Sequence, residues 1–149
     1  MAITVIRASV EHVDDIAPLF DLYRQFYEQN PDAVKAHNYI TARLTADECV
    51  IFLAYDGDKA VGFTQLYPTF CSVEAIKIYV LYDLYVDASA RKSGVGEALM
   101  TAASNHAKSA GAKRLALSTD ITNTTAQSLY ERLGWERDTQ YYSYALSID

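Results

Sequence analysis

From Val73 to Val86 the chain reads VEAIKIYVLYDLYV, a long run rich in β-branched and aromatic residues. It leads through a polar loop carrying Gly94 and Gly96 into an alanine-rich helical stretch. A strand delivered through a glycine loop to a helix start constrains fold and chemistry together. The first turn of a helix leaves several backbone N–H groups unpaired and carries partial positive charge, so this junction suits a phosphate group. Arg91 and Lys92 add Coulomb attraction, and the two glycines lack the Cβ that would hold a ligand away from the main chain.

The remaining periodicities place this junction in a mixed sheet. Residues 3–8 (ITVIRA) predict a first strand, and Ser9 is a suitable N-cap for an amphipathic helix from Val10 to about Gln29, with Pro18 as a kink or break. A weaker helical pattern covers Asp32 to Thr45. CVIFLAY (49–55), the turn Asp56-Gly57-Asp58-Lys59 and AVGFTQLY (60–67) form a hairpin, because Asp-Gly accepts the positive φ such turns require. The run ending at Val86 is then the pairing partner of the preceding strand. After it come a helix over about 94–110 closed by Gly111, a strand over 114–119, a helix over 124–133 and an extended, tyrosine-rich end over 141–147. Strands that run together early and alternate with helices late predict an α/β (α+β) fold whose sheet is covered on both faces.

Composition narrows the function classes. The 149 residues suit one compact domain over 1–149, and no apolar run approaches the length of a membrane helix. Residues 1–10 lack the basic start and apolar centre of a signal peptide, so a cytoplasmic protein is expected. Nineteen acidic against thirteen basic residues give a net charge of −6, the wrong sign for nucleic acid and suited to a cationic substrate. Cys49 and Cys71 are isolated and read as reduced thiols. His12, His37 and His106 have no ligand-spaced companions, so no metal is expected and packing or surface roles are assigned to them.

At the glycine loop three readings stand side by side. The glycines can serve only the turn. A dinucleotide fingerprint is a second reading, with Asp120 after the next strand as a ribose-binding acid, but Leu99 occupies its third small position and the polar stretch 87–93 separates strand from glycine. A phosphate-binding G-x-x-x-x-G-K-[ST] loop is absent from the sequence. The third reading comes from the residues themselves: Leu84-Tyr85-Val86 followed by Arg91-Lys92-Ser93-Gly94-Val95-Gly96 resembles the acetyl-CoA pyrophosphate loop of the GCN5-related N-acetyltransferase (GNAT) family.

The likeness extends to a second block. Asn123, Ala126 and Tyr130 are spaced three and four apart and share one helix face, with Gly134-Trp135 following. Alone, Asn123 is a cap or a ligand donor and Tyr130 a core or site tyrosine. As N-x-x-A-x-x-x-Y-x-x-x-G the block is similar to the second GNAT block, whose tyrosine commonly stands by the thioester sulfur. The resemblance covers about residues 52–144, including Val61-Gly62-Phe63. Residues 62–67 and 81–86 look most like the polyamine, amino-acid and histone-type amine acetyltransferase branch. That branch often carries Glu or Asn before the Asp, where this chain has Tyr82, which removes one candidate general base.

The resemblance implies a mostly antiparallel central sheet and direct attack of a primary amine on acetyl-CoA. Leu84, Tyr85 and Val86 would offer main-chain groups to the acetyl and pantetheine portions. Arg91 to Gly96, with Asn123 and Ala126, would complete the coenzyme site. Asp83, or water held by it, is the candidate base; binding the ammonium or pairing structurally are its alternatives. Tyr130 is the candidate donor to the leaving sulfur. Tyr23, Phe26, Tyr27 and Tyr39 would shape the acceptor pocket. A small amine is the expected substrate, with protein lysine or an N-terminus as the alternative acceptor and a non-catalytic coenzyme-binding module as the alternative class. The end over 141–147 predicts a strand able to pair across a subunit boundary, hence a homodimer.

Overall fold

The computed structural model describes residues 2–148. In chain order the elements are β1 (Ile3–Arg7), α1 (Val13–Phe26), α2 (Ala33–Thr45), β2 (Val50–Asp56), β3 (Lys59–Cys71), β4 (Ile76–Val86), α3 (Val95–Ser109), β5 (Arg114–Ala116) and α4 (Thr124–Arg132). Single 3-10 turns lie at Val10–His12 and Ala88–Ala90. Two compact units divide the chain, the first ending at Leu117 and the second beginning at Ser118.

In the first unit the strands lie in sequence order in one sheet. Pairing is antiparallel from β1 through β4 and parallel between β4 and β5. Alternate residues of a strand face opposite sides, and both sides of this sheet are covered. Phe63, Ile51 and Leu53 join the core formed with Ile16 and Phe20 of α1 and Ile40 of α2. One residue away, Gly62 faces α3, and Phe52 meets His106 of α3 at 5.8 Å between ring centroids. Double coverage explains why β2 is an almost unbroken apolar run instead of an alternating one.

Gly62 is required by this arrangement. A Cβ there would stand 2.9 Å from the Tyr85 carbonyl oxygen, 3.1 Å from Val95 Cγ1 and 3.3 Å from Leu99 Cδ1, so only glycine lets β3, β4 and α3 close together.

Local chemistry sets most element ends. Ser9 caps the turn before α1, with His12 Nδ1 accepting from the Ser9 N–H at 3.0 Å, and Asp32 caps α2 by accepting from Lys35 N at 3.0 Å. The β2–β3 hairpin turns at Gly57 with φ +60°, as Asp-Gly predicts. Helix α1 continues through Pro18, where a kink or break is predicted from sequence. The lost backbone bond is outweighed by burial of Ile16, Ala17, Leu19 and Phe20 around it.

The second unit contains α4 and the residues that follow. The strand predicted over 141–147 is not formed. Tyr141, Tyr142, Tyr144, Leu146 and Ile148 are exposed and lie in no ladder among the described residues. The apolar alternation is real, but an extended segment becomes a strand only when a neighbour takes its backbone hydrogen bonds.

Candidate functional site

Strand β4 has neighbours of unequal length. Against β3 it is paired from Ile76 to Val86, whereas against β5 only Ile78, Tyr79 and Val80 find partners, in Arg114, Leu115 and Ala116. Strand β5 ends at Ala116, opposite Val80, and β4 runs on to Val86 with no strand paired to that edge among the described residues. Backbone groups on that edge lack ladder partners, although Tyr82 O and Val86 O accept from the side chains of Tyr23 and Arg91. The candidate main-chain residues Leu84, Tyr85 and Val86 lie on this stretch. A β-bulge sits beside it: Gln65 is opposite Asp83 and Leu66 opposite Leu81, which leaves Tyr82 as the extra residue of β4.

The loop from β4 to α3 is built tightly. Asp87 N donates to Val61 O at 2.8 Å, and the Asp87 carboxylate accepts from Ser89 N at 3.2 Å. Those Ser89 bonds, chiefly from its hydroxyl, hold the Asp87 carboxyl below its usual range. Lys92 and Gly94 both take positive φ, at 63° and 84°; the glycine has open space around it, so its requirement is conformational. The Ser93 hydroxyl donates to Ala90 O. Gly94 is the N-cap of α3 and supplies no side chain to the first-turn N–H groups, while Val95 is buried and Gly96 follows as the second helical residue. An uncapped first turn behind a left-handed glycine presents donors of the kind a diphosphate accepts. Arg91 turns back toward the strand, donating Nε to Val86 O at 3.0 Å with its guanidinium 5.8 Å from the Tyr85 ring centroid.

Asp83 is only 5% exposed and takes part in none of the ion pairs among the described residues. Gln65 Nε2 donates to its Oδ2 at 2.8 Å, and Thr64 Oγ1 donates to its main-chain carbonyl at 2.8 Å. Burial pushes the Asp83 carboxyl up, against the opposing pull of hydrogen bonds from Gln65 and Tyr23. Aromatic rings surround it. Tyr23 OH donates to Tyr82 O at 3.3 Å, the hydroxyls of Tyr39 and Tyr67 lie 2.7 Å apart, and the Tyr67 and Tyr82 rings are 5.6 Å apart. Burial, then the bond with Tyr39, raises the Tyr67 phenol far above its ordinary value.

Among the candidate residues of the first unit, the fold therefore places Asp83, Leu84, Tyr85 and Val86 along one strand. Arg91, Lys92, Ser93, Gly94, Val95 and Gly96 lie on the turn it feeds. In the second unit Asn123, Ala126 and Tyr130 follow one face of α4. Asn123 caps the helix, its Oδ1 accepting from Ala126 N at 3.1 Å, and the Tyr130 ring lies 6.1 Å from that of Trp135. The bond of Gln65 to Asp83 and the packing role of Gly62 escape sequence reasoning. The signal for Gln65 was the Thr64-Gln65 pair set in an otherwise apolar strand.

The histidines and cysteines take other places. His37 Nε2 lies 3.1 Å from Asp14 Oδ1, His106 packs between Phe52 and Tyr79, and among the described residues no group of His, Cys, Asp or Glu forms a metal cluster. Burial pushes the Cys49 thiol up to about 11. No helix among the described residues is long and apolar enough to cross a membrane.

The model of the acetyltransferase (GNAT) family matches residues 16–135. A Bacillus subtilis (strain 168) protein named uncharacterized N-acetyltransferase YhfO is 47% identical over 133 residues, covering 89% of each chain. A probable acetyltransferase of Haemophilus influenzae (strain ATCC 51907 / DSM 11121 / KW20 / Rd) is 30% identical over 98 residues, 65% of this chain and 67% of that one. Among solved structures, a probable acetyltransferase superposes with a TM-score of 0.91 at 34% identity over 98% of both chains.

Proposed function

The chain belongs to the acetyltransferase (GNAT) family and is an acyl-CoA-dependent acetyltransferase, and we propose that it moves an acetyl group from acetyl-CoA to a primary amine of a small, polyamine or amino-acid-like molecule. The observation that carries the reading is the stretch of β4 past Val80, unpaired on its β5 edge among the described residues, joined by a short loop to a helix start with no side-chain cap. Main-chain groups of β4 lie at one end of that loop and the first-turn N–H groups of α3 at the other. That spacing of donors fits a molecule with a diphosphate and an extended amide-bearing arm.

Each residue has a task in this reading. The first turn of α3 and the loop 91–96 hold the diphosphate, with Gly94 permitting the turn. Leu84 to Val86 orient the arm and stabilise charge that develops on the thioester oxygen. An amine with a pKa near 10.4 must shed a proton before its nitrogen bonds to the acetyl carbon, and Asp83, directly or through water, receives it. As the carbon–sulfur bond breaks, Tyr130 donates a hydrogen bond to the departing sulfur. Gln65 is a positioning residue, since it touches Asp83 and holds its carboxylate in place.

The protein works as a cytoplasmic homodimer in this reading. The exposed, period-two apolar face of Tyr142, Tyr144, Leu146 and Ile148 supports association of copies. The deciding experiment is thiol release from acetyl-CoA against amines, polyamines, amino acids and peptides, with acetylated product identified by mass. Amine-dependent release with small amines is expected. Release with peptides alone assigns a protein acceptor, and coenzyme binding without release assigns a non-catalytic module.

A further inference from the structure

From Tyr23, which bonds the Asp83 carboxyl, a chain of ring contacts runs outward. Phe26 and Tyr27 lie 5.2 Å apart between centroids, Tyr27 and Tyr23 5.1 Å, and Tyr23 and Tyr85 6.3 Å. On the other side of the Tyr23 hydroxyl, the bulged Tyr82 is 65% exposed and packs against Tyr67. Phe26 is 59% and Tyr27 44% exposed, an unusual cost in open apolar area for a short stretch of chain.

Two further observations say what this surface is for. Asp83 is a buried carboxyl that joins none of the ion pairs among the described residues, and the ionised form of such a group gains strongly from a ligand that brings a cation. Beside it, Gln65 is fully buried and its Oε1 has no hydrogen-bond partner, so the amide bonded to Asp83 has an acceptor to spare. A carboxylate, a spare amide oxygen and aromatic faces are together the chemistry that recognises an ammonium group.

The cations already present restrict which ammonium ligand fits. The Arg43 guanidinium lies 5.0 Å from the Tyr39 centroid and Arg91 lies 5.8 Å from that of Tyr85, so the tyrosine faces at either end of the cluster meet positive charge. Glu48 is already paired with Arg43 at 2.8 Å. A second ammonium on the same ligand would approach guanidiniums, whereas a flat apolar body meets rings.

We infer that the acceptor is a monoamine, one ammonium on a flat apolar body, seated on the Tyr23–Tyr27–Tyr82 surface with its nitrogen directed toward Asp83 and Gln65. This rests on the acetyltransferase reading above and narrows its substrate class away from polyamines. Tyr82, the bulged residue and the most exposed of these three rings, is thereby a specificity-determining residue.

The test compares 2-phenylethylamine, n-butylamine and spermidine as acceptors for the wild type and Tyr82→Ala, alongside calorimetric titration of the same amines into CoA-saturated protein. The kcat/KM for 2-phenylethylamine is expected to exceed that for spermidine by about tenfold or more. Tyr82→Ala should shrink that margin to roughly threefold or less, mainly through KM, and lower kcat/KM for 2-phenylethylamine more than for n-butylamine. Transfer that favours spermidine, or a margin untouched by Tyr82→Ala, overturns the inference while leaving the acetyltransferase reading intact. Should no amine support thiol release, that reading fails; the titration then decides the inference, which stands if 2-phenylethylamine binds more tightly than spermidine and falls if it does not.

Discussion

Gln65 Nε2 meets Asp83 Oδ2 at 2.8 Å between directly paired positions of β3 and β4, holding a carboxylate where burial favours the neutral acid. The folded pKa lies above the unfolded one, so the folded state keeps a proton that the unfolded chain has lost. Stability is therefore full below the unfolded value of about 3.9 and falls as pH rises through the folded pKa. Asp83→Asn removes that loss and retains an acceptor for Gln65. Calorimetry should show the variant gaining on the wild type in Tm as pH rises from the unfolded value of about 3.9 through the folded pKa, while amine-dependent thiol release drops about 100-fold or more. A wild type that gains on the variant over that rise contradicts the sign.

Gly62→Ala tests the closeness of β3, β4 and α3. The new Cβ would meet a main-chain oxygen at 2.9 Å, and a backbone atom cannot move aside as a side-chain tip can. The expected cost is about 1–3 kcal/mol, a fall in Tm of roughly 3–10 °C by thermal melt. An unchanged Tm would mean that the three elements separate freely.

Tyr130→Phe and Gly96→Val separate chemistry from binding. Removing the Tyr130 hydroxyl should lower kcat by about tenfold or more and leave acetyl-CoA affinity within about twofold. Gly96→Val should instead raise the Kd for CoA, because in the proposed reading its side chain would stand where the diphosphate approaches. Equilibrium titration with CoA and steady-state kinetics on both variants check the pair, and a swap of the two phenotypes would reverse the assignments.

Asn123→Ala removes the side-chain cap of α4, the bond from Ala126 N to Asn123 Oδ1. Loss of such a cap costs about 1 kcal/mol, and the cost should appear as a lower Tm with thiol release reduced less than in Tyr130→Phe. Equal loss of turnover in the two variants would assign Asn123 a direct part in the reaction.

Deleting residues 141–149 removes the exposed apolar alternation. Sedimentation at micromolar concentration is expected to show a dimer for the full chain and a monomer after deletion. A full chain that sediments as a monomer removes the proposed assembly.

Elements carried by local chemistry were legible in the sequence. Asp56-Gly57 announced the β2–β3 hairpin, Asp32 stands at the start of α2, and Gly94 and Gly111 bracket α3, which spans Val95–Ser109. What depends on register was not. Gln65 and Asp83 are eighteen positions apart and meet only because a bulge leaves Tyr82 unpaired, which periodicity does not encode. At Pro18 burial on both flanks keeps α1 unbroken, and residues 141–147, whose expected pairing lies across a subunit boundary, join no ladder within the single chain despite their alternation.

The pairing of β4 with β5 rests on three residue pairs, whereas the rings of Tyr23, Tyr27 and Tyr39 come from the α1–α2 segment. In the proposed reading an acceptor touches that segment on one side and Tyr82 of β4 on the other. Grafting a foreign α1–α2 segment onto this scaffold would accordingly retune one wall of the acceptor seat while Tyr82 keeps the other.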